Sequence, residues 1–280
     1  MTGAVAIIGA GRVGLTLARA LVLSGTPVRL LVRAARRVPA GLPDPELKWQ
    51  SALEVADLVI IAVPDDVITG VAQQLAKMGG IGARHVVLHT SGVRGCEALV
   101  PLVASGAALG SIHPLQTFAD AQGDPAALTG TPAVVEGSAE AVRAARGLAG
   151  ALGMAPILEL SADRKPLYHA AAVFASNYVV TLAAVAERLA REAGAGDASG
   201  QLFHALLANT VRNLALEDPA TALTGPIRRG DVGTVAAHLQ VLDGSDRILY
   251  VALAREALRL ARTGGLEESE ARRLERVLNG

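Results

Sequence analysis

Gly9-Ala10-Gly11-Arg12-Val13-Gly14, directly after the apolar run Val5-Ala6-Ile7-Ile8, is the stretch whose reading decides the fold. A strand ending there must turn sharply into a helix, and glycine both permits the turn and lets backbone N–H groups approach a pyrophosphate. The helix that follows offers an anion its first-turn amides and the positive end of its dipole. Residues 15–24 continue as an apolar helical pattern, with Gly25 as its C-cap. Gly-x-Gly-x-x-Gly alone is common in glycine-rich loops. Lying between a β-type run and a helix, this one predicts a dinucleotide turn, with Gly9, Gly11, Arg12, Val13 and Gly14 as cofactor-binding residues.

Outward from the turn, residues 28–32 read as a second strand, followed by Arg33, Ala34, Ala35, Arg36 and Arg37. An acid near this strand end accepts hydrogen bonds from an adenosine ribose, whereas arginine suits a ribose that carries a phosphate. Three arginines and no acid predict NADP rather than NAD, with Arg33 the first choice of contact. A solvated basic loop is the alternative reading of the same residues. Residues 56–63 are a continuous apolar run of the kind shown by a strand buried on both faces, and Pro64-Asp65-Asp66 opens the next helix. A strand over 85–88 runs into His89-Thr90-Ser91-Gly92. Strand ends on this side of a parallel sheet line the ligand crevice, so Val63, Pro64, Thr90 and Ser91 are expected along the cofactor. Strands over 107–112, 132–136 and 155–160, with a helix over 138–152, complete an α/β domain with a doubly wound parallel sheet across residues 1–160.

From residue 161 the pattern changes to helices alone, over 163–193, 198–216, 232–243, 246–262 and 267–278. No repeat or low-complexity linker separates the halves, so the division into domains 1–160 and 161–280 reads as a hinge, and the crevice there as the substrate site.

Composition excludes several functions. The 280 residues carry 26 basic and 26 acidic side chains with no long basic run, which makes nucleic acid and membrane surfaces poor partners. Cys96 is the sole cysteine, which excludes an internal disulfide. It fits a reducing cytoplasm, as does the lack of a signal-peptide pattern. Residues 166–186 hold no Asp, Glu, Lys or Arg over a length that could span a bilayer. They include His169, Ser176, Asn177 and Thr181 and are tightly flanked by charges, so a buried helix of a domain or subunit core is expected instead.

Within that helix Lys165, His169, Ala172 and Ser176 recur at i, i+4, i+7 and i+11, along one face, with Asn177 beside it. A reductase needs a proton donor near the atom that gains charge as hydride arrives, and lysine or histidine can supply it. The lysine would need its pKa lowered by burial, or would act as a fixed charge on a developing alkoxide. A solvated first-turn lysine and a satisfied core histidine fit the same spacing. His113 ends a strand on the ligand side and is followed by Pro114, where it could orient or deprotonate a substrate hydroxyl. His85, His204 and His238 form no pair at metal-ligand spacing, and no metal site is expected. Arg228 and Arg229, in a polar loop over 224–231, could bind a carboxylate or phosphate or be simply solvated.

The glycine turn, Val63-Pro64-Asp65 and a helical second half opening with a lysine resemble the superfamily of 6-phosphogluconate and β-hydroxyacid dehydrogenases, including ketopantoate reductase. His89-Thr90-Ser91-Gly92, Ser111-Ile112-His113-Pro114-Leu115-Gln116, Lys165-x-x-Tyr168-His169 with Asn177, and Leu223-Thr224-Gly225-Pro226 look like a subgroup of NADP oxidoreductases whose C-terminal domain has no assigned function. The resemblance implies an all-α C-terminal domain of the 6-phosphogluconate dehydrogenase type. In better-understood relatives a lysine and an asparagine one turn apart hold the reacting carbonyl. Here Lys165 has His169 at i+4 and its nearest asparagine is Asn177, which leaves the donor open between Lys165 and His169. The His113-Pro114 turn is similar to that of prephenate dehydrogenases, where the histidine meets a substrate hydroxyl, and Arg33 matches the NADP phosphate position of ketopantoate reductase. Helical halves in this superfamily pair between subunits, so a homodimer through residues 161–280 is implied.

The expected function is an NADP(H)-dependent dehydrogenase or reductase moving hydride to or from a small anionic carbonyl, imine or hydroxy-acid substrate. Lys165, His169 and His113 are the candidates for proton transfer and charge stabilisation, and Asn177 for orientation. Two alternatives stand beside it: a binding protein that senses NADP without catalysis, and an oxidative enzyme of the prephenate dehydrogenase kind using His113.

Overall fold

A computed structural model describes residues 3–35 and 37–280, and the chain divides into two compact units, Met1–Val180 and Thr181–Gly280. The first unit is built on strands β1 (Ala4–Ile8), β2 (Val28–Leu31), β3 (Ala56–Ile61), β4 (Val86–His89), β5 (Ala108–Pro114), β6 (Ala133–Gly137) and β7 (Ile157–Glu159). They form one sheet in the order β2-β1-β3-β4-β5-β6-β7. Its helices are α1 (Arg12–Leu23), α2 (Gln50–Val55), α3 (Ile68–Met78), α4 (Ala139–Ala151) and α5 (Lys165–Ala175), with a 3-10 helix over Cys96–Ser105.

Strands β1, β3 and β4 are largely apolar because each serves two cores. In β1, Val5 and Ile7 join Leu17 and Leu21 of α1 and Leu148 of α4 on one face. Ala6 and Ile8 join Leu53 of α2, Leu75 of α3 and Leu99 of the 3-10 helix on the other. Strand order reverses at β1, which lies between β2 and β3, and in such sheets ligands bind outside the strand ends at the reversal.

The wholly parallel sheet expected from sequence is corrected to a mixed one. Strands β1 to β5 are parallel, but β6 runs antiparallel to β5, with Ser111 opposite Glu136 and Ile112 opposite Val135, and β7 is parallel to β6. A parallel partner requires a crossover back to the other end of the sheet, usually through a helix. The connection over 115–132 contains only a 3-10 turn, Pro125–Leu128, so the chain re-enters from the end at which it left.

The helix expected over 163–193 is also interrupted. A 3-10 turn, Ala162–Arg164, leads into α5, the backbone leaves helical geometry at Ser176 (φ −128°, ψ −72°), and α6 (Asn177–Ala190) follows. Serine and asparagine side chains compete for backbone hydrogen bonds, and here they fall side by side. The first compact unit runs through α5, which is fastened to the sheet through Lys165 and Tyr168.

The second unit continues through α7 (Ser199–Leu202), α8 (His204–Leu216), α9 (Pro219–Ala222), α10 (Val232–Val241), α11 (Gly244–Thr263) and α12 (Glu268–Asn279). Its buried cluster joins Val235 and Leu239 of α10, Leu258 and Ala261 of α11, and Leu274 and Leu278 of α12. The stretch Ala162–Leu202 is long and apolar enough to cross a membrane, yet none of its most apolar window is buried. The buried helix expected over 166–186 is therefore exposed within a single chain, since the second unit draws its buried cluster from residues 227–278. Phe174, Val180, Leu206, Val211 and Leu216 are each at least 60% exposed.

Candidate functional site

The glycine turn has a separate geometric reason at each glycine. Gly9 has φ +114°, and a Cβ there would lie 2.2 Å from the Ala62 carbonyl oxygen, so β1 and β3 admit no side chain. A Cβ at Gly14 would lie 2.1 Å from the Gly9 carbonyl oxygen, which sets how closely α1 meets the turn. At Gly11 the same Cβ would point into open space. Helix α1 begins there without a side-chain cap, leaving its first-turn amides for an anion over Gly11. The donor set and the open space fit a pyrophosphate.

A groove of about 590 Å³ runs from this turn past Val32, Arg33, Ala34 and Arg37. Arg33 and Arg37 are exposed side chains at its edge, and Arg36 lies outside the described residues. Trp49, given no role on sequence grounds, lines the groove and donates its indole N–H to the Val32 carbonyl at 3.1 Å. It thereby fixes the end of β2 from which the arginine loop departs. A lone tryptophan in a polar connection was the available signal.

This groove is one end of a continuous crevice within the first unit, along the C-terminal ends of β1, β3, β4 and β5. Gly11, Val63 and Pro64 also line a space of about 380 Å³ with Arg12, Val13 and Thr90. Val13, Val63 and Thr90 pass into a space of about 240 Å³ closed by Ser91, Gly92, His113 and His169. His113, Gln116, Phe118 and His169 then open onto a pocket of about 510 Å³ lined by Leu115, Ala172, Val173, Ser176 and Asn177. No lysine or arginine lines this last pocket.

His113 and His169 face each other edge to face, ring centroids 6.0 Å apart. A Cβ on Gly92 would stand 2.6 Å from His169 Cδ2 and 2.8 Å from His113 Nε2, so the turn after β4 must pass both rings as glycine. His113 Nδ1 lies 3.0 Å from the Tyr168 hydroxyl. Burial lowers the His113 pKa to about 4, reinforced by the charge of Lys165 and by His169 and opposed by Asp65. Burial pushes the Tyr168 phenol up to about 12.

Lys165 occupies a different place from its helical neighbour. It is fully buried and lines none of these four spaces. Its ammonium donates to the Ser91 carbonyl at 3.0 Å and to Ser111 Oγ at 2.6 Å. The Ser111 hydroxyl donates to Glu136 Oε2 at 3.2 Å, and the Cys96 backbone N–H donates to Glu136 Oε1 at 3.2 Å. Burial lowers the Lys165 pKa to about 8, against the pull of Glu136, Glu97 and Asp65. Ser111 was visible in sequence only as part of a motif and Glu136 only as the one acid in an apolar strand; their adjacency follows from the antiparallel register.

His89, completely buried, joins Nε2 to the Gly95 carbonyl at 2.9 Å and accepts the Ser91 N–H at Nδ1 at 3.2 Å. It fastens the turn that carries Ser91 and Gly92, and burial lowers its pKa to about 4. In the second unit Arg228 donates to the Gly264 carbonyl at 2.7 Å and Arg229 stands 3.9 Å from Asp231. Among the described residues no group of three His, Cys, Asp or Glu side chains is placed to hold a metal.

A Rossmann-like domain profile matches residues 2–114, and a domain of unknown function, DUF2520, matches residues 131–257. No curated protein sequence matches the chain. Among solved structures, it is similar to protein TM1727 from Thermotoga maritima, at 22% identity and a TM-score of 0.73 over 92% of this chain and 98% of that one. It is similar to "putative NADP oxidoreductase BF3122" from Bacteroides fragilis at 21% identity, TM-score 0.72, with the same coverage of 92% and 98%. A reductive aminase from Aspergillus terreus, in complex with NADPH and ethyl-5-oxohexanoate, aligns over 100% of this chain and 93% of its own at 17% identity and a TM-score of 0.61. These likenesses and the two profiles agree on the fold: a Rossmann-like domain with a mixed sheet, followed by an all-α C-terminal domain.

Proposed function

We propose that the protein is an NADP(H)-dependent oxidoreductase acting on a small organic carbonyl, imine or hydroxy-acid substrate. The observation that carries this reading is the unbroken crevice from the uncapped start of α1 to the facing imidazoles of His113 and His169. Gly11 and the first-turn amides of α1 would hold the pyrophosphate, and Arg33 with Arg37 would meet a phosphate on the adenosine ribose. NADPH, when bound, supplies the hydride.

The chain's own groups do the rest. Thr90, Ser91 and Gly92 line the narrow space where a nicotinamide ring would lie, and His113 and His169 close it from the substrate side. The substrate body would rest against Leu115, Phe118, Ala172 and Val173, with Gln116, Thr117, Ser176 and Asn177 to grip its polar end. A carboxylate on the substrate would be held by amides and hydroxyls, because no cation lines that pocket. Two imidazoles over the same space favour an enzyme over a silent NADP sensor, which has no use for them.

Calorimetric titration tests the first step: NADPH releases or absorbs heat and binds more tightly than NADH. Loss of nicotinamide absorbance across carbonyl, imine and hydroxy-acid panels then identifies the substrate. Absence of any dinucleotide binding overturns the reading.

The exposed apolar side chains of α5, α6 and α8 support a second copy of the chain as partner, since soluble monomers rarely leave so much apolar surface uncovered. The break at Ser176 and the flanking charges speak for a protein partner over a bilayer. Light scattering reporting a dimer mass supports this, and a monomer at micromolar concentration overturns it.

A further inference from the structure

Tyr168 has no part in the function just proposed, yet its hydroxyl meets His113. We propose that Tyr168 is a positioning residue for His113, fixing it as a neutral imidazole that carries its proton on Nε2 and offers that N–H to the crevice as a hydrogen-bond donor. The substrate half of this inference rests on the oxidoreductase reading; the tautomer itself does not.

The argument begins with the 3.0 Å contact between Tyr168 Oη and His113 Nδ1. A neutral imidazole has one N–H and one lone pair, and a phenol has one proton to give. If the phenol donates to Nδ1, both groups are used and the ring proton must sit on Nε2. The opposite tautomer would spend the ring proton on the phenol oxygen, leaving the phenol proton to find another acceptor. Nε2 is the nitrogen that passes Gly92, in the space shared with Thr90 and His169.

Burial and the neighbouring charges favour the neutral ring. Helix α5 brings Lys165, Tyr168 and His169 to His113, and the loop after β3 brings Asp65. Strand β6 brings Glu136 opposite Ser111, where it accepts from the Ser111 hydroxyl and the Cys96 N–H. Lys165 and His169 oppose a second proton on the ring and Asp65 favours one, while burial weighs on the side of neutrality. The ammonium cannot move to relieve this, because Ser91 and Ser111 hold it in place. A neutral imidazole fixed in this way stabilises an oxygen or nitrogen that gains charge as hydride arrives, with no proton transferred from the ring.

The test is nitrogen-15 NMR on the full chain labelled in histidine, with the His113 resonance assigned by its loss in His113→Gln. At pH 7 the expected signal is a neutral ring protonated at Nε2. Tyr168→Phe, whose fold is checked by circular dichroism, turns that single form into a mixture of both tautomers. An imidazolium, a ring protonated at Nδ1, or a tautomer indifferent to Tyr168→Phe overturns the proposal. No cofactor or substrate enters this measurement, so a chain that shows the tautomer but binds no NADPH overturns the oxidoreductase reading alone.

Discussion

Cutting the buried link between Lys165 and Glu136 tests how the centre is held together. Lys165 is fully buried and Glu136 is 4% exposed, joined through the Ser111 hydroxyl. Lys165→Met leaves the carboxylate with the Ser111 hydroxyl and the Cys96 N–H and thiol, and removing one partner of a buried charge pair costs about 3–5 kcal/mol. Glu136→Gln is milder, because an ammonium with a pKa of about 8 can shed its proton. At pH 7 that release costs about 1.4 kcal/mol, and a lost hydrogen bond adds about 1 kcal/mol. The double variant leaves no charge behind, so its cost falls short of the sum of the two by about 2 kcal/mol or more. Urea denaturation of the four proteins at pH 7 measures this directly. Additivity within about 0.5 kcal/mol would refute the coupling. The pH dependence supplies a second reading. The folded pKa of Lys165 is lowered to about 8 from 10.5, so between those values the unfolded chain binds more protons. Stability from this group therefore rises with pH across that window, by on the order of 3 kcal/mol, and Lys165→Met abolishes the rise.

His89 and His113 titrate in the acid range by the same logic. Both are lowered to about 4 from 6.5 by burial, so their contribution is complete above about pH 6.5 and drains away toward pH 4. Thermal unfolding followed from pH 7 to 4 should show that decline, and a shallower one in His89→Gln; a flat profile contradicts neutral burial. Gly92→Ala pushes a methyl into both imidazoles, at 2.6 and 2.8 Å, and should lower turnover at least about tenfold, by more than it weakens NADPH binding. Equal losses in both quantities would argue against the placement of the rings. Arg33→Ala or Arg37→Ala removes a charge-assisted hydrogen bond of about 1.5–3 kcal/mol, weakening NADPH by about 10- to 150-fold and sparing NADH. Equal weakening of both nucleotides would remove the arginines from the phosphate.

The fold was largely legible because its central strands are buried on both faces, and an unbroken apolar run such as residues 58–63 is the pattern that double burial imposes. Strand direction was not legible, since an apolar run reads the same in either sense. The clue to β6 was the lack of a helix between His113 and Pro132, where a parallel neighbour would need a crossover. The break at Ser176 escaped because periodicity continues through it. The buried centre was hidden for a deeper reason. Glu136 meets Ser111 only through antiparallel register, and Trp49 reaches Val32 across a long connection, so neither pairing leaves a local trace.

Helical spacing put Lys165 and His169 on one face, which is a statement about angle and not about depth. At the N-terminus of α5 the lysine reaches down to Ser91 and Ser111, while one turn later His169 lines the crevice. On the proposed function the two residues would act on a bound substrate by different routes. His169 would touch it; Lys165 would act through its field, at a centre where burial weakens the screening that water would provide. Its counter-charge on Glu136 is anchored on the sheet, so the field at His113 is set by the folded protein before any ligand arrives. A site arranged in this way needs no reorganisation of charge as hydride moves, which is what a fixed electrostatic contribution to catalysis requires.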